Sequence, residues 1–516
     1  MRGKSDGLHW WQTRWFVLIA MVAAALPLLW PAIPPLVDVP GHIGLYRIMA
    51  EAGQAPLAGH YAVHWALIGN LGVEALVLAL HPLLDVEPAT HLIVALIPAL
   101  TVGAMLWLAR EAHGRISPAA AFALPLAYAL PFQLGFVNFA LAAGLAMAGL
   151  ALWIRIARTW SPPTRALLFM PIAGAVWLCH SFGWAMLGLF LLGAEWAIRR
   201  GRGDGIGRAA LLAALTCAPL AWPQLLAMLG GVHPVGDTGD WFDLPSKAQW
   251  IASLLRERWK AYDVACVMVL ALLLWGAVRS KRLSFAPLLG APALLCLIAF
   301  LCLPRLYAGG AYVDMRILPY AVALGLLAIR AEPGEESLSN RLALFGGAFF
   351  ALRVTTSIAA FALFAHGQQS ELQALPAMPV GATILSLVDE PSTASWDNPR
   401  LGHLPGIAIA RRRVFTNEQW AIRGQQLIEP RHMAAAPLDR DPSQLVFPAD
   451  APYLQTDFDQ AIAHFDRGSF SYVWTIGFPP GRAHAADLVP IWSNGRSALY
   501  RVTPSKAPLS SGALAR

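Results

Sequence analysis

An acidic residue sits at the end of the first apolar run of this chain, in Leu36-Val37-Asp38-Val39-Pro40-Gly41-His42. Ionisable groups beside a membrane span are costly to keep there and usually have a task. Two readings fit Asp38. It can be the N-cap of a short helix patterned by Ile43, Tyr46, Arg47 and Ala50, with Pro40 in the first turn. It can also be a carboxylate that takes a proton from a hydroxyl or binds a divalent cation. The two roles can coexist. His42 lies four residues on and shares a helical face with Asp38 and Tyr46. It is either an interfacial histidine bonded to water or lipid, or a group that orients Asp38 or contacts a phosphate.

Other candidates flank it. Asp85, Glu87 and His91 form a second acidic group, either a solvated helix start or a second carboxylate near Asp38. Asn138 and His180-Ser181 mark polar turns that either satisfy backbone or hold a ligand. Ser181 has no G-x-S-x-G context, so nothing supports a serine hydrolase. Arg305, Tyr307, Asp314 and Arg316 stand at the mouth of a late apolar run. They read as a surface ion pair with a helix cap, or as a site where arginine grips a lipid-linked phosphate. The stretch 231–262 holds Asp237, Asp240, Trp241 and Asp243, then Arg256, Arg258 and Lys260. The acids with Trp241 suit a lid or a sugar-binding edge; the three cations suit snorkelling from an amphipathic helix.

The elements that must position these residues are membrane helices. Of 516 residues, 57% are hydrophobic and 13% charged, and the mean hydropathy is +0.52. A soluble chain carries about 25% charge. Apolar runs suited to spanning recur from residue 15 to 364. The net charge of +7 resides in Arg-rich connectors, at 1–14, 110–115, 155–165, 199–208, 279–282 and 330–341. Such connectors face inward, so the charge reports orientation, not nucleic-acid binding. Trp10, Trp11 and Trp15 fit interfacial anchoring. The N-terminus reads as an uncleaved signal-anchor with its end inside.

This parity predicts about eleven spans, near 15–33, 91–109, 118–134, 138–157, 166–180, 181–199, 208–229, 262–279, 284–303, 315–330 and 342–365. Residues 62–84 are expected not to cross, because the acidic loop after them and the basic loop at 110–115 would otherwise fall on the wrong sides. The chain thus divides into a transmembrane part, 1–366, with a first outer loop at 34–90, and an outer-face α/β domain, 367–516. In the latter, β-rich runs at 383–388, 413–415, 470–476 and 498–502 surround an amphipathic helix at 457–465. All five cysteines (Cys179, Cys217, Cys266, Cys296, Cys302) fall in apolar spans without metal-type spacing, so neither disulfides nor zinc are expected. There is no G-x-G-x-x-G, P-loop, H-E-x-x-H or D-x-D-x-D-G, so nucleotide-dependent chemistry is unsupported.

An acid just past the first span, a loop helix, a near-membrane element ending His81-Pro82-Leu83-Leu84 and a small C-terminal domain together resemble the C-type (GT-C) membrane glycosyltransferases. That superfamily includes protein mannosyltransferases and aminoarabinose transferases. The resemblance covers about residues 10–330 as architecture. It implies that Asp38 is the catalytic carboxylate and that the donor is a sugar on a polyprenyl phosphate. It implies a partner lipid in the inner membrane and no nucleic acid. Many members pair two acids in the first loop, whereas Asp38 is followed by Val39. The resemblance therefore carries no firm metal requirement, and a divalent cation is the one cofactor left open. Two other classes are compatible with the composition. A flippase or transporter for lipid-linked glycans should show charges at mid-membrane and repeat symmetry; a non-catalytic assembly protein would leave Asp38 as a cap.

Overall fold

The structure is a computed structural model that describes residues 8–230, 236–392, 395–422, 424–448 and 456–503. It is an α-helical membrane protein with a small C-terminal sheet. Among the described residues six helical stretches are long and apolar enough to cross a bilayer: Val86–His113, Val137–Ile156, Ser181–Gly201, Ile206–Leu229, Lys260–Arg279 and Glu336–Ala377. Shorter apolar helices accompany them, among them Arg14–Leu29, Pro162–Cys179, Pro287–Cys302 and Val313–Ala328. Each of the eleven expected spans coincides with an apolar helical element. The expected span at 118–134 is not one regular helix. It breaks into Ala120–Phe122, Leu124–Tyr128 and Leu130–Gln133. Pro118, Pro125 and Pro131 explain this, since each removes a donor from the helical ladder.

Residues 62–84 hold a single helix, Gly72–Leu80. Nine residues rise only about 14 Å, too little for a hydrocarbon core of about 30 Å. Residues just before it form a strand, Tyr61–Val63, antiparallel to Ile428–Pro430 near the other end of the chain. The first loop and the C-terminal region therefore lie on one side of the membrane.

The C-terminal sheet is mixed. Thr383–Asp389 is its centre and pairs in parallel with Phe415–Thr416, Leu445–Val446 and Tyr472–Ile476. Ala498–Val502 and Leu488–Ser493 continue it antiparallel. Leu488–Ser493 escapes the sequence pattern because Pro490 cannot serve a central ladder, and it lies at the edge. The amphipathic helix forms at Phe458–His464, capped by Asp457, whose carboxylate accepts from Gln460 N at 2.8 Å. The five cysteines are free thiols.

Two contacts fix the loop helix Val39–Ala50 between bundle and sheet. On the bundle side, Val37 N and Asp38 N donate to Gln133 O and Leu134 O at 3.3 and 3.0 Å. The turn that follows needs glycine: Gly135 has φ +92°, and a Cβ there would stand 2.6 Å from Asp38 N. On the other side, Gly41 and Gly44 let the helix approach Gly406 and Gln419, and Gln419 Nε2 donates to Gly41 O at 3.0 Å. Arg400 ties these layers together through Gln133 O, Gln133 Oε1 at 2.7 Å and Pro35 O.

Candidate active site

Asp38 precedes the loop helix directly, yet its side chain makes no capping hydrogen bond. Pro40 in the first turn has no N–H to cap. The carboxylate is left facing a small cluster, with 18% of the side chain exposed. His403 Nε2 lies 4.0 Å from Asp38 Oδ1 and 3.8 Å from Asp441 Oδ1. His403 Nδ1 lies 3.3 Å from Glu418 Oε2. The ring of Trp420 packs between the rings of His403, at 4.4 Å, and His42, at 5.0 Å.

The electrostatics follow from this crowding. Burial lifts the Asp38 carboxyl from 3.8 to about 7; His403 and Arg316 oppose the shift, and Asp441 adds to it. Burial disfavours charge on His403, but the Glu418 hydrogen bond and the charges of Asp441, Asp38 and Glu418 outweigh it and raise it to about 9. His42 goes the other way: burial and the neighbouring His403 charge lower it to about 3, so it is neutral. A carboxyl near 7 suits general-base work at neutral pH.

Arg316, in the Val313–Ala328 helix, is close enough to Asp38 for each to feel the other's charge. Its guanidinium lies over Phe136 at 4.4 Å and donates to Ala311 O at 3.2 Å. Its Nε is buried without a partner. His180 Nε2 is 3.2 Å away. Yet His180 Nδ1 already accepts from Phe182 N at 3.1 Å, so a neutral ring carries its proton on Nε2. Two donors thus face one another, and an oxyanion between them would receive from both.

No family model matches the chain, and no curated protein matches it in sequence. Among solved structures, it is similar to ArnT from Cupriavidus metallidurans bound to undecaprenyl phosphate, at 13% identity and TM-score 0.51, covering 96% of this chain and 99% of that one. The apo state of the same ArnT gives 14% identity and TM-score 0.50, covering 94% and 97%. The chain shares the fold of this ArnT. In this chain Asp38 lies where the first loop meets the C-terminal region.

The remaining sequence candidates disperse through the framework. Asp85 is bound by Arg47 at 2.6 Å and Glu87 by Arg411 at 2.9 Å; both carboxylates are engaged in ion pairs rather than turned to Asp38. His91 bonds the Leu28 carbonyl at 2.6 Å. Asn138 caps the Gly72–Leu80 helix, accepting from Val73 N and donating to Glu74, each at 2.7 Å. Arg305 pairs with Asp240 at 2.7 Å, and Tyr307 is exposed. Asp314 is buried against Lys247 Nζ at 3.0 Å, not paired with arginine. Within 231–262, residues 231–235 lie outside the described residues, Asp243 caps Leu244–Ala252, and Arg256 donates to backbone oxygens of Ser395, Trp396 and Asp397 instead of snorkelling. Among the described residues no group of three or more His, Cys, Asp or Glu side chains is arranged to hold a metal ion. His403, Glu418, Asp441 and Lys247 were not singled out in the sequence. No local motif marks them, because the partners that give them meaning lie far away in sequence.

Proposed function

We propose that the chain is a membrane glycosyltransferase that moves a sugar from a polyprenyl-phosphate donor to a hydroxyl of a lipid, glycan or protein acceptor. The observation that carries this reading is Asp38: a carboxylate at a helix start, unused as a cap, held near neutral pKa in the GT-C fold. The acceptor O–H gives its proton to Asp38 as its oxygen bonds to the anomeric carbon. The bond from that carbon to the phosphate oxygen breaks, and polyprenyl phosphate leaves with the electron pair. Arg316 and the Nε2–H of His180 are the donors suited to the leaving phosphate. The undecaprenyl phosphate in the related ArnT structure supports a donor of this class.

The reaction belongs at the outer face of the inner membrane. In this reading residues 1–366 form the membrane domain, and 367–516 form a periplasmic domain that closes over the first loop. The test is comparison of envelope lipids and glycans by mass spectrometry in cells with and without the chain, and with Asp38→Asn. Asn caps about as well as Asp, so abundance should hold while a sugar-sized mass increment disappears. General-base loss should cost about a hundred-fold or more. An increment that persists with Asp38→Asn at normal abundance removes the catalytic assignment.

A further inference from the structure

We propose that His403, carried by the C-terminal region, is a positioning residue that holds Asp38 in its ionised, proton-accepting form, with Glu418 orienting the ring. The proposal rests on the transferase reading for its kinetic meaning, but not for its geometry.

His403 is nearly buried, and both ring nitrogens face carboxylate oxygens: Nδ1 meets Glu418, and Nε2 meets Asp38 and Asp441. Nδ1 lies within hydrogen-bond distance of Glu418 and donates to it, while Nε2 is 4.0 and 3.8 Å from Asp38 and Asp441, within ion-pair reach but not hydrogen-bonded. Three carboxylates within 4.0 Å of one ring favour the imidazolium by charge, and the raised pKa of the ring agrees with it. Glu418 is fully buried and takes a second hydrogen bond from Gln419, which fixes the carboxylate that fixes the ring. Trp420 covers one face of the ring.

The gap from His403 to Asp38 is 4.0 Å, too long for a hydrogen bond. A proton taken by Asp38 therefore stays on Asp38, and His403 acts by charge. Six titratable or charged groups set the field here. Asp38 and His42 come from the loop helix, Arg316 from the bundle, and Glu418, Asp441 and Glu390 from the C-terminal region. The cations His403 and Arg316 favour the Asp38 carboxylate; Asp441 opposes it. The C-terminal region thus completes the site rather than merely covering it.

Two measurements separate this from a packing role. In purified full-length protein labelled at histidine Cε1, His403 is the NMR signal missing from His403→Gln. Its titration midpoint should fall by about one unit or more in Asp38→Asn and in Asp441→Asn, since each removes a nearby negative charge. A midpoint unmoved by Asp38→Asn overturns the proposal, whatever the protein transfers. The second measurement is the pH dependence of transfer. His403→Gln should move the acid limb to higher pH, and Asp441→Asn should move it to lower pH. Shifts in the same direction, or none, overturn the proposal. If His403→Gln does not accumulate, Glu418→Gln takes its place: it removes the carboxylate that holds the ring charged, so it should likewise move the acid limb to higher pH, and an unmoved limb overturns the proposal. Failure of the wild type to transfer any sugar counts against the transferase reading and leaves the NMR result standing.

Discussion

Gly406 meets Pro40 so closely that a Cβ on the glycine would stand 2.4 Å from the Pro40 carbonyl oxygen. That contact presses the C-terminal region onto the loop helix within two residues of Asp38. It sets the distance at which His403 sees the carboxylate.

Gly406→Ala should therefore force the two layers apart. Overpacking of this kind costs about 1–3 kcal/mol. Thermal unfolding in detergent should show a lower Tm, and transfer should fall more than the Tm alone explains. An alanine variant with unchanged Tm and transfer would mean the layers are not locked.

The pH dependence has two signs to check. As a base, Asp38 must be ionised, so activity should rise with pH through about 7, the value to which burial lifts it. For stability the sign reverses. The folded state holds this proton more tightly than the unfolded chain, whose carboxyl titrates near 3.8, so the carboxyl's contribution to stability falls as pH rises across that window. Asp38→Asn should then raise Tm at pH 8 relative to wild type and have little effect well below the window. A lower Tm for the Asn variant at pH 8 would show that the carboxylate is structural.

Arg316→Gln keeps the ring stack partly filled but removes the charge. A charge-assisted hydrogen bond contributes about 1.5–3 kcal/mol, so undecaprenyl phosphate should bind about 10–100-fold more weakly. Lysine should rescue only in part, because it lacks the planar fork. Equal affinity in wild type and Gln variant would place the phosphate elsewhere.

Away from the site, Arg165 and Glu195 form a fully buried pair at 3.0 Å, with Trp153 stacked on the guanidinium at 4.7 Å. Glu195→Ala leaves that cation without its partner, a loss of about 3–5 kcal/mol. Detergent thermostability should drop sharply, while the pKa of His403 read by NMR should not move.

Asp38 and Arg316 were legible in the sequence for the same reason: each is an ion set against an apolar or weakly basic background. The spans were legible because burial in lipid demands long apolar runs. The failure of 62–84 to cross was legible from charge placement alone. His403 was not legible, since a lone histidine without a motif carries no local signal, and its meaning comes from Glu418, Asp441 and a loop far away in sequence. The broken segment at 118–134 shows the opposite case. Its prolines were visible, but hydropathy outweighed them, and the turn that seats Asp38 at Gly135 emerged only in three dimensions. Lys247 was hidden likewise: its buried bonds to Asp314 and to the carbonyls of Phe300 and Leu303 join two elements that sequence treats as unrelated.

The helix Glu336–Leu372 runs for 37 residues without a proline. At 1.5 Å per residue it is a rod of about 55 Å, well beyond a hydrocarbon core of about 30 Å. It crosses and then continues as a mast that carries the sheet. Helices bend sharply at proline or at a disrupted ladder, and this one has neither at its exit. The sheet is therefore borne above the lipid on one unbroken helix rather than on a loop. In the proposed reaction, the donor's sugar carbon and the acceptor hydroxyl would meet at the altitude the mast sets.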